Sequence, residues 1–127
     1  MKQHIAHIAL IIKDYDEAIR FYTEKLGFDL VEHTVLSDTK RWVLVQPKGE
    51  SRCSILLAKA VGDEQTNAIG NQTAGRVFLF LYTDDFWRDY NEMLKKEIVF
   101  VREPKDEAYG TVAVFKDLYG NLWDLIG

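Results

Sequence analysis

Apolar positions along this chain form short continuous runs and one helical stripe, and their order predicts the elements. Residues 4–12 are rich in Ile, Ala and Leu, a run that predicts a buried strand. In residues 16–26, Ile19, Tyr22 and Leu26 recur at helical spacing, with Ala18 and Phe21 beside them, so an amphipathic helix is expected there. Asp14 or Asp16 is placed to cap it, and acids in its first turn suit the helix dipole. Gly27 is placed to end it, because the position after a helix favours a left-handed residue. Three strand-like runs follow, 28–34, 41–46 and 52–58, separated by the turn-forming segments Ser37-Asp38-Thr39 and Pro47-Lys48-Gly49.

The second half repeats this order. A strand is predicted over 76–81, a helix over 84–96 and strands over 98–103, 110–116 and 121–126. Tyr22-Thr23-Glu24-Lys25-Leu26 lies over Tyr90-Asn91-Glu92-Met93-Leu94, and His7-Ile8-Ala9-Leu10 over Arg76-Val77-Phe78-Leu79, which indicates an internal duplication. The reading is one α+β domain, residues 1–127, made of two βαβββ modules (1–58 and 76–127) joined by a loop (59–75). That loop is long for a compact domain, which suggests a linker or a functional lid. Set edge to edge, the modules should give a curved mixed sheet, helices outside and a cleft inside.

Composition narrows the functions. A chain of 127 residues suits one domain with its own core. The net charge of -4, without a basic stripe, argues against nucleic acid as a partner. Cys53 has no cysteine partner, which agrees with a reducing compartment, and its strand-like setting suits a small buried hydrophobe. No apolar stretch approaches the roughly 20 residues that span a bilayer, and no signal peptide is read, so the expected location is the cytoplasm without membrane contact. There is no Ser-His-Asp or Cys-His arrangement, no glycine-rich phosphate loop and no paired CxxC; Asp84-Asp85 reads as helix-start chemistry.

Three segments carry a family resemblance: His7-Ile8-Ala9-Leu10, the helix ending Phe21-Tyr22-Thr23-Glu24-Lys25-Leu26-Gly27-Phe28, and the closing Phe115-Lys116-Asp117-Leu118-Tyr119-Gly120-Asn121-Leu122-Trp123-Asp124-Leu125. In this order they resemble the vicinal-oxygen-chelate proteins, the glyoxalase I, bleomycin-resistance and dioxygenase superfamily, over nearly the whole chain. The resemblance implies a divalent metal acting as a Lewis acid on two neighbouring substrate oxygens. Carried over, the four metal-binding positions are His7, Leu56, Arg76 and Asp124. Leu56 has no donor atom, and Arg76 is a permanent cation. A +1 and a +2 charge about 4 Å apart repel by on the order of 8 kcal/mol at an effective dielectric of about 20. His7 and Asp124 remain as weak metal candidates, with Glu50 or His33 as conceivable additional donors.

The expected function is therefore small-molecule binding without the usual metal or any other cofactor, similar to the drug-sequestering branch. His7, Arg76 and Asp124 would anchor an anionic or aromatic ligand in the cleft, beside Leu56 and beside Phe78 and Phe80, the two phenylalanines sharing the face of Arg76 by strand parity. Each of these residues also has a plainer explanation. His7 suits a hydrogen-bonded core position, Arg76 and Asp124 an internal ion pair, and the phenylalanines a closed core. The alternative function is a metal-dependent lyase, isomerase or dioxygenase of glyoxalase type. A third is a degenerate protein that acts only through partners. A homodimer is expected, since paired-module sheets leave edge strands open.

Overall fold

Alternation along the first strand decides how the chain packs. In β1 (His7–Ile12), Leu10 and Ile12 are fully buried, while His7 and Ala9 are exposed. Successive side chains of a strand point to opposite faces, so one face meets a helix and the other stays open. The computed structural model describes residues 1–49 and 52–127. The chain separates into two compact units, Met1–Ile69 and Gly70–Gly127.

The first unit holds α1 (Tyr15–Arg20), β2 (Asp29–Val35), β3 (Arg41–Gln46), β4 (Ser54–Lys59) and α2 (Gly62–Ala68). Asp14 caps α1 by accepting from the Glu17 N–H at 2.9 Å. The helix widens into a π-helical turn, Phe21–Lys25, closed by Leu26 N–H donating to Phe21 O. Both Phe21 and Tyr22 are buried there. Gly27, at φ +72, then turns the chain into β2, a conformation that costs a residue with a Cβ about 1–2 kcal/mol. The sheet order is β1-β4-β3-β2, with β1 parallel to β4 and the other pairs antiparallel. Val43, Val45, Ile55 and Leu57 join Leu10 and Ile12 under the helix. Each fully buried aliphatic side chain contributes about 1.5–3 kcal/mol.

The second unit repeats the plan with β5 (Val77–Tyr82), α3 (Phe86–Lys95), β6 (Val99–Glu107), β7 (Gly110–Lys116) and β8 (Leu122–Ile126). Its order, β5-β8-β7-β6, is that of the first sheet shifted by four strands, as a duplication requires. Asp85 caps α3, and the Phe115 and Trp123 rings stack in the core at 5.7 Å beneath buried Phe86 and Met93. Of the two aromatics that open α3, only Phe86 packs inward; Trp87 is 53% exposed.

One sequence expectation needs adjustment. The segment 59–75 is not a plain loop, since α2 occupies Gly62–Ala68. Its remainder is pinned to the turn between β7 and β8: Gln72 N–H donates to Asn121 Oδ1 at 3.2 Å. Gly70 packs so closely there that an added Cβ would stand 1.9 Å from Tyr119 O. In that turn the Asp117 carboxylate accepts the main-chain N–H groups of Tyr119, Gly120 and Asn121, and the Asn121 side-chain amide besides. The Asp-x-x-Gly-Asn string is thus a self-satisfied buried turn that fixes where β8 begins.

Candidate binding faces

Each sheet has one face under its helix and one face turned away, and the candidate residues divide between the two units. In the first unit His7 and Leu56 share the face away from α1, because His7 pairs with Ser54 and Leu56 with Ala9 and Leu44. Trp42 belongs to the same face, its ring edge-on to His7 at 6.0 Å. Ser54 Oγ donates to Gln46 Oε1 at 3.0 Å between them. His7 is exposed, which corrects the reading of it as a core histidine: β1 turns its odd-numbered side chains away from the helix. His33 is on the other face. It pairs with buried Val43, and its Nε2 lies 3.4 Å from Arg41 Nη1, which also donates to Asp16 Oδ1 at 2.7 Å. Glu50 lies outside the described residues.

In the second unit a single row crosses the sheet. Phe80 of β5 pairs with Asp124 of β8, Asp124 with Val114 of β7, and Val114 with Arg102 of β6. Directly opposed residues point to the same side, so Phe80, Asp124 and Arg102 share the face away from α3. The neighbouring row adds Lys116, paired with Leu122. At the other end Tyr82 pairs with Ile126. Phe80 and Tyr82 are 61% and 74% exposed. Burial pushes the Asp124 carboxyl above the usual carboxylate range, and the Arg102 charge offsets part of that rise.

Arg76 behaves otherwise than expected. It precedes β5 and is exposed, tied down through its backbone: its N–H donates to Thr73 O, and Thr73 Oγ1 donates to its carbonyl. Among the described residues it forms no ion pair, with Asp124 or with any other acid. The register shift between Val77 and Leu79 breaks the alternation, so parity does not carry from Phe80 through half-buried Phe78 to Arg76.

The cation whose charge acts on Asp124 is instead Arg102, two strands across in the same row, which sequence reading missed. Phe100 pairs with Phe115 on the helix side, and strict alternation would leave Arg102 there too. A second register shift, between Phe100 and Arg102, moves it to the opposite face. Only that irregularity gives the position away, and no residue type in the sequence marks it.

The donor chemistry does not fit the metal that the resemblance implied. Leu56 and Arg76 offer no ligand, and among the described residues no group of three or more His, Cys, Asp or Glu is gathered to hold an ion.

Comparison with known proteins agrees with the architecture. The family model of the Glyoxalase/Bleomycin resistance protein/Dioxygenase superfamily matches residues 4–125. An uncharacterized protein of Shewanella frigidimarina (strain NCIMB 400) is 62% identical, covering 99% of this chain and 94% of its own. Among solved structures, UcmS2 is 28% identical with a TM-score of 0.86, covering 99% of this chain and 98% of its own. TnmS3, an antibiotic binding protein from Streptomyces sp. CB03234, is 26% identical with a TM-score of 0.77, covering 98% and 95%.

Proposed function

The chain belongs to the Glyoxalase/Bleomycin resistance protein/Dioxygenase superfamily, and from that premise we propose that it is a small-molecule binding protein that works without the superfamily's metal. The observation that carries this reading is the donor set. Of the four inherited positions, only His7 and Asp124 keep a donor atom, Leu56 offers none and Arg76 is a cation. What remains suits binding rather than Lewis-acid chemistry: exposed aromatics, a carboxyl group and a guanidinium set on one rigid sheet face. The description of TnmS3 as an antibiotic binding protein supports the same direction.

The ligand is an anionic or aromatic small molecule, and the protein acts as a cytoplasmic homodimer. No helix among the described residues is long and apolar enough to cross a membrane. The edge strands β2 and β6 carry exposed Val31, Val35, Val99 and Val101, apolar surface of the kind a second subunit covers.

Thermal unfolding against a panel of aromatic carboxylates, with and without EDTA, tests the binding. A ligand at about 100 times its dissociation constant adds roughly 2.7 kcal/mol of stability. The expected result is stabilisation by at least one such acid, unchanged by EDTA. Stabilisation that appears only with added Zn, Ni, Mn or Fe would favour the enzyme reading instead.

A further inference from the structure

The face of the second unit carries more positive charge than one ligand carboxylate needs, and its arrangement is specific. Arg102 stands in the row of Asp124 and Phe80, and Lys116 in the next row. Neither cation forms an ion pair among the described residues. Neighbouring strands lie about 4.8 Å apart, so Arg102 on β6 and Phe80 on β5 are separated by roughly 14 Å of backbone. A guanidinium and a benzyl side chain at the two ends of that row are spaced for a molecule of two or three rings. Between them in the row stand Asp124 and the buried Val114, and exposed Tyr82, two residues on from Phe80, extends the aromatic side.

Resting on the small-molecule reading above, we infer that Arg102, rather than Arg76, is the anion anchor of this face, and that its ligand is a flat aromatic anion lying across β8 and β7 with its rings against Phe80. Charge complementarity selects that occupant. By the same register the face also carries Lys105 and Glu107, which pair with each other at 3.6 Å, so Arg102 and Lys116 are left against Asp124, and an anionic group next to Arg102 meets a cation that forms no ion pair among the described residues. Guanidinium favours oxyanions that present two oxygens to its fork, as a planar carboxylate or a tetrahedral sulfonate does. Asp124, two strands across in the same row, offers a second polar contact, suited to a hydroxyl or amine on the same ring system.

Two dyes of nearly the same shape separate the charge from the rings. Anilinonaphthalene sulfonate is a permanent anion, and N-phenylnaphthylamine is its uncharged counterpart. Both brighten in apolar sites, and each is titrated into the full chain and its variants at neutral pH. Wild type should bind the sulfonate saturably, one per chain, and more tightly than the neutral dye. Arg102→Gln should weaken the sulfonate about ten-fold or more and the neutral dye less than two-fold, which also shows that the variant is folded. Phe80→Ala should weaken both. Equal sulfonate binding in Arg102→Gln and wild type overturns the inference alone, as does loss of the sulfonate in Arg76→Gln only. No saturable binding of either dye sinks the small-molecule reading along with it. Release of both dyes as protein concentration rises, with doubling of mass, overturns it in favour of a second copy of the chain covering this face.

Discussion

Exchanging the two side chains that hold the β7–β8 turn together should recover about 3 of the roughly 5 kcal/mol that the two single changes would cost if they added. Asp117 and Asn121 are 4% and 3% exposed, so water supplies little compensation for a lost contact. Asp117 Oδ1 accepts three main-chain N–H groups at 2.9–3.0 Å, and its Oδ2 accepts Asn121 Nδ2 at 3.0 Å. Asn121 Oδ1 in turn accepts the N–H of Gln72. A hydrogen bond to a charged group contributes about 1.5–3 kcal/mol and a neutral one about 1 kcal/mol. Asp117→Asn turns three charge-assisted bonds into neutral ones and sets two amide groups donor to donor, a loss of about 3 kcal/mol. Asn121→Asp brings two carboxylates together and should cost about 2 kcal/mol. The double exchange restores a donor–acceptor pair: the amide now at position 117 donates to the carboxylate now at 121, which still accepts from Gln72. Additive losses would reach about 5 kcal/mol; the exchange should stay near 2 kcal/mol, a coupling of about 3 kcal/mol. Urea unfolding followed by tryptophan fluorescence reads all four proteins, with equal slopes as the check on two-state behaviour. A double variant less stable than either single one would show that the carboxylate–amide contact does not hold this turn.

Three other outcomes follow from the same geometry. Gly70→Ala should lose about 2–4 kcal/mol, because the new Cβ would stand 1.9 Å from Tyr119 O and backbone must move; a denaturation midpoint within error of wild type refutes it. Glu97, at φ +64, makes after α3 the left-handed turn that Gly27 makes in the first unit, so Glu97→Gly should gain about 0.5–1 kcal/mol, and a lower melting temperature would contradict this. Burial raises the Asp124 pKa, so the folded state favours its protonated form, and that advantage is present at acid pH and lost as pH rises. Asp124→Asn should therefore be more stable than wild type at neutral pH, with the difference closing below about pH 4; a difference that grows on acidification would reverse the sign.

The sequence displayed the fold through features that are local and periodic. The stripe of Ile19, Tyr22 and Leu26, the stop at Gly27 and the strand runs around 41–46 and 110–116 each depend on neighbours within a few residues, and the structure has β3 and β7 at those bounds. The repeat was legible because both units kept the same element order. The faces were legible only where alternation is unbroken: His7 and Leu56 fall together, and so do Phe80 and Asp124. Register shifts at Val77–Leu79 and Phe100–Arg102 defeated the rest, because one inserted residue sends every following side chain to the other face. Arg76 was set beside Asp124 by the positions carried over from the resemblance and joined to Phe80 by a parity that the first shift interrupts, and Arg102 was overlooked because the second shift leaves no mark in residue type. Helix α2 was hidden as well: its run Gly62–Ala68 buries no residue and so has no apolar stripe to read.

Native mass spectrometry of the untagged protein, purified without chelators and then titrated with an aromatic carboxylate that stabilises it, tests the metal-free binding reading most directly. The expected result is a chain free of stoichiometric transition metal that gains one ligand per chain, in a proportion EDTA does not change. One metal ion per chain, lost together with the ligand on adding EDTA and absent from His7→Ala, would contradict it.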